Sequence, residues 1–251
     1  MKSFLNPKRP ILVGMLRSKD KDGLLAEIER IKLDGADAFG FQLERLCEEM
    51  KTKEVLTEIF SAMDGYPIYV TNYMRSNRSV GVTWEALEEQ LFMLISLGAR
   101  LIDIPGDMYH TSDMELTLDQ TAIERQRVLI NKIHAAGGEV LMSSHVLRFI
   151  PKETVLTIAR AHIERGADIT KIVTNADTDG ELDENFEALH LLKKSIGENM
   201  LFLCNGKKCK KHRILGPLFA SSLFLCAENA RDGENQPTIK RAKEALKYYE
   251  T

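Results

Sequence analysis

The chain has 251 residues, of which 44% are hydrophobic, and a formal net charge of −3 at pH 7. This length and apolar content suit one α/β barrel, so we expect a single domain over residues 1–251. Charges of both signs are interspersed along the chain, which argues against a nucleic acid or an anionic membrane as the partner and favours a small molecule.

Four cysteines are scattered along the chain: Cys47, Cys204, Cys209 and Cys226. No apolar segment is long enough to export the chain or to span a membrane, so we expect a protein of the reducing cytoplasm. Cys204, Cys209 and His212 have the spacing of part of a zinc site, but a closed site needs a fourth ligand, and none stands nearby at a typical spacing. We therefore expect neither a metal nor another cofactor.

Short apolar runs recur along the chain and predict eight strands. They cover residues 11–16, 37–43, 67–73, 100–106, 139–145, 168–175, 200–206 and 221–227. Amphipathic stretches with helical spacing come after each run and predict eight helices. They cover residues 21–35, 53–65, 83–98, 120–138, 152–166, 184–197, 214–221 and 238–250.

Several of these helical stretches end in glycine, which suits the left-handed conformation at a helix C-terminus. Eight strand-then-helix units predict an α/β fold, namely a single-domain (β/α)8 TIM barrel. An open, doubly wound sheet is the alternative. Such a sheet normally has a Gly-rich turn after its first strand, and the residues LRSKDKDG (16–23) do not form one.

Active sites of such barrels gather at the C-terminal ends of the strands, so the polar residues that end each apolar run are the candidates. These residues are Gln42, Glu44, Asn72, Asp103, His145, Lys171, Asn205 and Arg213, with Gln236 in the loop after the last strand.

Lys171 lies within a strand-like run, GADITKIVTN (166–175). Side chains of a strand alternate between faces, so Lys171 shares its face with Ile169 and Val173. In a dry environment the charged form of the amine is disfavoured, and part of it becomes a neutral nucleophile near pH 7. The alternative is a structural ion pair with an acid such as Asp103.

His145 ends the preceding strand, on the same face as Leu141 and Ser143. In a barrel it would therefore stand beside Lys171. An imidazole next to a desolvated amine suits a carbonyl substrate, because the lysine can form an imine while the histidine moves protons. A hydrogen-bonded core histidine is the alternative.

The segment NGKKCKKHR (205–213) is rich in lysine and arginine, and such runs are usually solvated loops. It lacks the interleaved aromatic residues of an RNA-binding patch. Arg213 is expected to open the helix over 214–221, where its guanidinium and the helix N-terminal amides could hold a substrate carboxylate or phosphate.

These motifs resemble the type I 3-dehydroquinate dehydratases, which are Schiff-base lyases built on a (β/α)8 barrel. The family's ADIVKI corresponds to ADITKI (167–172), and its SYH to SSH (143–145). Its G-x-x-x-x-x-x-R segment matches Gly206 through Arg213, and its APGQ loop is echoed by GENQP (233–237). The similarity runs along nearly the whole chain.

The resemblance implies roles for four residues. Lys171 would form an imine with the C3 ketone of the ring acid, and His145 would remove the C2 proton and then protonate the departing C1 hydroxyl. Arg213 and Gln236 would hold the substrate carboxylate. The resemblance also implies a step of the shikimate pathway and a homodimer.

The chain departs from the family at the wall that contacts the ring hydroxyls. Gly40 and Gln42 take the positions of the family's strand-two E-x-R, and its strand-three arginine falls on Asn72. Its strand-four acidic residue falls near Pro105. We therefore expect extra room at Gly40, and substrate contacts from Gln42, Asn72 and Asn205. The substrate would be 3-dehydroquinate or a keto acid with different ring hydroxyls.

Two other classes of function remain open on the sequence. A phosphosugar aldolase would also use a strand-six lysine, but it would need a phosphate cup after strands seven and eight, to which the loop RDGENQP contributes little. A non-catalytic barrel could bind a carboxylate ligand or a protein.

Overall fold

The computed structural model describes residues 3–74, 81–229 and 235–248. Eight strands lie in these ranges. They are β1 (Ile11–Met15), β2 (Ala38–Gln42), β3 (Ile68–Thr71), β4 (Leu101–Pro105), β5 (Glu139–His145), β6 (Ile169–Asn175), β7 (Met200–Asn205) and β8 (Leu223–Cys226).

Eight α-helices alternate with these strands in the same ranges. They are α1 (Lys21–Asp34), α2 (Lys53–Ala62), α3 (Trp84–Ser96), α4 (Gln120–Ala135), α5 (Lys152–Glu164), α6 (Asp179–Ile196), α7 (Cys209–Phe219) and α8 (Ile239–Leu246). Two short 3-10 helices, Leu43–Arg45 and Glu48–Met50, lie after β2.

All paired strands are parallel, and β1 pairs with both β2 and β8. The ladder ends at β7 and β8, where the backbone N–H of Ser222 donates to Met200 O over 2.9 Å and brings the two edges together. The sheet is therefore a nearly closed barrel, which confirms the predicted TIM fold.

The interior of the barrel is filled by alternate residues of the strands, among them Val13, Leu141, Ile169 and Leu201. Phe4 is fully buried in the same cluster, and its backbone N–H donates to Glu139 at the start of β5. The N-terminal segment thus closes the bottom of the barrel. A second apolar layer packs the helices against the outer faces of the strands.

Local signals in the sequence explain where the helices begin and end. Thr178 and Glu181 form a capping box at the start of α6, so that helix begins five residues before the predicted 184. Gly35 ends α1 with φ of 78°, a conformation that glycine adopts without steric cost. None of the helices in the described ranges has the length and apolarity needed to cross a membrane.

The start of α7 corrects one expectation. The helix begins at Cys209, so Arg213 lies in its second turn and is not next to the N-terminal amides. Cys209, His212, Arg213 and Gly216 have the i, i+3, i+4, i+7 spacing of one helix face, and all four are buried. Part of the segment 205–213 is therefore a packed helix rather than a solvated loop.

Two sequence predictions extend beyond the described residues. Of the loop GENQP, residues 233 and 234 lie outside the described ranges, as do residues 231 and 232 of the longer RDGENQP. The predicted helix over 238–250 is described as far as residue 248, and α8 ends at Leu246.

Candidate active site

A cavity of about 160 Å³ opens at the C-terminal ends of the barrel strands. Six of the predicted site residues line it: Gln42, His145, Lys171, Asn205, Arg213 and Gln236. A second cavity, of about 180 Å³, lies beside it, and Tyr73 and His145 line both. Four strands, the helix α7 and the loop after β8 thus bring these residues together.

Lys171 is 5% exposed and points into the barrel, as its predicted parity requires. Its Nζ donates to Asp103 Oδ2 over 3.0 Å, to Tyr69 OH over 3.0 Å and to Tyr73 OH over 2.7 Å. The amine therefore has a buried carboxylate partner, the ion pair with Asp103 that the sequence left open as the alternative.

Asp103 is the centre of this group of side chains. Its Oδ2 also accepts hydrogen bonds from Tyr69 and, over 2.6 Å, from Tyr73, while its Oδ1 accepts from Ser143 over 2.6 Å. Burial alone would raise the pKa of Asp103, but the charges of Lys171 and His145 and these hydrogen bonds hold it below its ordinary value. We call Tyr69, Tyr73, Asp103, Ser143 and Lys171 the inner cluster.

His145 stands one step above Lys171 in the barrel, since Ser143 is the residue of β5 in register with Lys171. The His145 Nδ1 lies 2.5 Å from Glu115 Oε2, and the same oxygen accepts the His145 backbone N–H over 2.5 Å. Glu115 therefore orients the ring and favours the tautomer with its proton on Nδ1. The Tyr73 ring meets the imidazole edge-on at 5.1 Å.

Glu115 belongs to the irregular segment between β4 and α4, and its φ of 47° lies in the left-handed region that side chains other than glycine rarely adopt. Ser144 Oγ donates to Glu115 O over 2.7 Å and lies 3.0 Å from His162 Nε2. The other ring nitrogen of His162 lies 2.8 Å from Thr170 Oγ1. A buried network behind the barrel wall thus holds Glu115 in place.

Arg165 completes this second network. Its guanidinium donates to Gly106 O and to Thr117 O, both over 2.6 Å, and to Gln126 Oε1 over 2.9 Å. These two carbonyls flank the segment that carries Glu115. We call Ser144, His162, Arg165 and Thr170 the outer cluster, because it lies on the helix-facing side of β5 and β6.

Arg213 approaches the cavity from α7. Its Nε donates to Cys204 O over 2.8 Å, and its Nη2 to Asn205 Oδ1 over 2.7 Å. Burial lowers the pKa of Arg213. On the other side of the mouth, Arg17 donates to Gln236 Oε1, so a second guanidinium adjoins this end of the cavity.

Asn72 does not line the cavity, contrary to the prediction that it contacts the substrate. Its side chain donates to Gln90 of α3 over 2.6 Å, because strand alternation turns it outward. Tyr69, Thr71 and Tyr73 share the inward face instead. At the upper end of this strand, Tyr73 therefore takes the place at the cavity that was predicted for Asn72.

Gly40 leaves no extra room, and this expectation was also wrong. A Cβ at Gly40 would overlap with Met15 Sδ, so the methionine fills the space. Met15 and Gly40 are register partners in β1 and β2. Nearby, Thr71 Oγ1 donates to both carboxyl oxygens of Glu44, and burial raises the pKa of that acid.

Four functional candidates were missed by reasoning from the sequence. The parity rule that placed Lys171 would have found Tyr69 and Tyr73, since both alternate with outward residues in PIYVTNY. Glu115 and Arg17 carry no such signal, because each lies in an irregular segment after a strand.

Known proteins match this chain in sequence and in fold. A sequence model of the family described as Type I 3-dehydroquinase matches residues 14–251. A 3-dehydroquinate dehydratase from Klebsiella pneumoniae subsp. pneumoniae is 26% identical over 238 residues, which are 92% of this chain and 90% of that protein.

Two solved structures show the same fold. The 3-dehydroquinate dehydratase from Geobacillus kaustophilus HTA426 is 16% identical, with 100% of this chain and 96% of that one covered and a TM-score of 0.80. The type I 3-dehydroquinate dehydratase from Clostridium difficile, with covalently modified comenic acid, is 20% identical, with 97% and 94% covered and a TM-score of 0.80.

Proposed function

Because the chain belongs to the type I 3-dehydroquinase family, we propose that it is a hydro-lyase acting on a cyclic hydroxy keto acid, 3-dehydroquinate or a close relative. One observation carries the proposal. Lys171 in β6 and His145 at the end of the neighbouring β5 line one cavity together with Arg213. A nucleophilic amine, an oriented imidazole and a guanidinium suit a substrate with both a ketone and a carboxylate.

In the proposed reaction the Lys171 amine condenses with the ring ketone. The resulting iminium withdraws electrons from the neighbouring carbon and so makes its proton easier to remove. We assign that step to Nε2 of His145, because Nδ1 faces Glu115. The imidazolium then protonates the hydroxyl that leaves as water, which returns the ring to its neutral state.

The carboxylate of the substrate would lie at the end of the cavity formed by Arg213, Asn205 and Gln236. Both hydrogen-bond partners of the Arg213 guanidinium are neutral acceptors. A buried cation is stabilised by an opposite charge, and a substrate carboxylate would supply it. The positions of Arg213 and Gln236 at this end of the cavity support the roles proposed for them.

The wall that would read the ring hydroxyls is neutral. Gln42, Thr71 and Tyr73 supply amide and hydroxyl groups, and Met15 occupies the space beside Gly40. A site with fewer buried charged groups loses less when a ligand lacks one hydroxyl, so it discriminates less sharply. We therefore propose slow turnover of 3-dehydroquinate and faster turnover of a relative with different hydroxyls.

The test is an ultraviolet assay for the conjugated enone product. Purified protein receives 3-dehydroquinate or ring keto acids that differ in their hydroxyls. We expect turnover of at least one of them, and no turnover by Lys171→Arg. Binding of these acids without any conjugated product would indicate a non-catalytic barrel and contradict the proposed function.

The cysteines and the family membership support the proposed cellular context. The structure contains no disulfide between any of the four cysteines, and free thiols fit the proposed reducing cytoplasm. The proposed homodimer and the proposed place in the shikimate pathway are supported by family membership alone. Sedimentation of the purified protein tests the first, and growth of a dehydratase-deficient strain that carries this chain tests the second.

A further inference from the structure

The resting amine of Lys171 uses all three of its donors. An ammonium group has three N–H bonds, and Nζ has three acceptors, which are Asp103 Oδ2, Tyr69 OH and Tyr73 OH. An amine must be neutral to attack a carbonyl. The first event at this site is therefore a proton transfer from Nζ to a group that already contacts it.

Both tyrosines offer a route for that proton. Each hydroxyl accepts from Lys171 Nζ and donates to Asp103 Oδ2, so nitrogen, hydroxyl and carboxylate form a continuous chain. Burial and the charge of Asp103 raise the pKa of both tyrosines well above the ordinary value. The hydroxyls thus stay protonated and can pass a proton on without becoming phenolates.

The two tyrosines differ in where they face. Both line the cavity that holds Lys171, but Tyr69 is fully buried, whereas Tyr73 is 5% exposed, lines the second cavity as well and packs its ring against His145. A substrate carbonyl must approach Nζ from the open side. Its oxygen would then lie nearer the partly exposed Tyr73 than the fully buried Tyr69.

We propose, on the basis of the function given above, that Tyr73 is the catalytic acid of imine formation. The bond from Nζ to the carbonyl carbon forms as the π bond to oxygen breaks. Two of the three ammonium protons move to that oxygen through Tyr73 and Asp103, and the oxygen leaves as water. The iminium keeps one N–H and the positive charge.

This balance needs no external proton, because Asp103 begins and ends the step as a carboxylate and Tyr73 as a phenol. Asp103 then serves as the counterion of the iminium. His145, which sits one step above, takes no part in this proton balance and stays available for the carbon proton. The site thereby assigns the two proton transfers to two different residues, whose rings are in contact.

The test measures how fast the adduct forms. His145→Ala is used as the background so that imine accumulates, with 3-dehydroquinate as the probe, timed borohydride quenching and intact-mass detection. The rate of adduct formation in His145→Ala is the reference for the double variants. Adding Tyr73→Phe should slow it about 10²- to 10⁴-fold, the usual effect of removing a general acid.

Tyr69→Phe is the matched control, because it removes the same pair of hydrogen bonds from the same amine and carboxylate. It should slow adduct formation far less than Tyr73→Phe. Equal slowing by both variants would indicate loosened packing and overturn the assignment, as would an unchanged rate in Tyr73→Phe. Both of these results would leave the proposed function intact. If the wild type gives no adduct with any ring keto acid, the proposed function fails as well.

Discussion

The inner and outer clusters lie on opposite faces of β5 and β6, and both are buried, polar and densely hydrogen-bonded. They differ in charge and access. The inner cluster pairs an ammonium with a carboxylate next to a cavity, whereas Arg165 in the outer cluster donates its hydrogen bonds to carbonyl and amide oxygens. Burial of polar groups is therefore common to both clusters, and the inner cluster is the candidate catalytic site because it combines a nucleophilic amine with access to a cavity.

The two histidines of these networks show the same contrast. Burial, with the charge of Arg165, lowers the pKa of His162 to about 3, so this ring stays neutral at physiological pH. His145 instead contacts a carboxylate and lines the cavity. Substitutions in the inner cluster should therefore act on turnover, and substitutions in the outer cluster on stability.

Lys171 gives the largest expected effect. Lys171→Arg keeps a positive charge beside Asp103 but cannot form an imine, so we expect a folded protein without measurable turnover or borohydride adduct. Lys171→Ala should also lose turnover and, in addition, about 3–5 kcal/mol of stability, because Asp103 is left buried and unpaired. Steady-state assays and denaturant unfolding check both, and residual turnover in Lys171→Arg would contradict the assignment.

His145 comes next. His145→Ala should lower kcat by about 10²- to 10⁴-fold while the protein still forms the Lys171 adduct, because the imidazole acts after the imine exists. His134→Ala is a suitable control, since that histidine contacts Asp168 on the outside of the barrel. An unchanged kcat in His145→Ala would contradict the assignment of proton transfer to His145.

Arg213 should affect binding more than chemistry. Arg213→Lys keeps the charge but loses the planar fork, so we expect KM to rise about 10- to 100-fold, the range for losing one hydrogen bond to a charged group. Arg9→Lys provides the control, because Arg9 makes a two-point contact with Asp37 that does not adjoin the cavity. Equal affinity of the wild type for an acid and its neutral amide would argue against a carboxylate site.

Substitution of His162 should give the smallest effect on turnover, because this residue belongs to the outer cluster, and it should change stability instead. Since its pKa in the folded state lies below its ordinary value of 6.5, its stabilising contribution is present above pH 6.5 and declines as pH falls toward 3. His162→Gln should remove a slope of up to about 1.4 kcal/mol per pH unit in that window. Unfolding at several pH values measures this, and a parallel curve for the variant would refute it.

Two simple patterns in the sequence were enough to predict the fold and the positions of Lys171 and His145. The alternation of side chains between the two faces of β5 and β6 correctly predicted that Lys171 and His145 face the inside of the barrel. The eight strand-then-helix units predicted the barrel itself. Asn72 was misplaced because it was chosen as a polar residue near the end of an apolar run, without regard to the alternation of side chains between strand faces, which assigns the inward position to Tyr73. The start of α7 was missed because lysines alternate with the buried face of that helix.

Other features need information that one strand does not contain. Met15 fills the space at Gly40 because β1 and β2 pair in a particular register, and register between strands is a property of the assembled sheet. Glu115, which contacts His145, itself has a left-handed backbone conformation, and it lies in a segment without the regular spacing of apolar residues that predicts a helix or a strand. Its position depends on the outer cluster, whose members are far apart in the sequence.

The central claim is that Lys171 of the inner cluster forms an imine with a keto acid, and borohydride trapping tests it most directly. Wild-type protein is incubated with 3-dehydroquinate or a related ring keto acid, reduced, digested and mapped by mass spectrometry. We expect the reduced adduct on the peptide that contains Lys171 and on no other lysine peptide. An adduct located on a different lysine, or no adduct with any of these acids, would contradict the account.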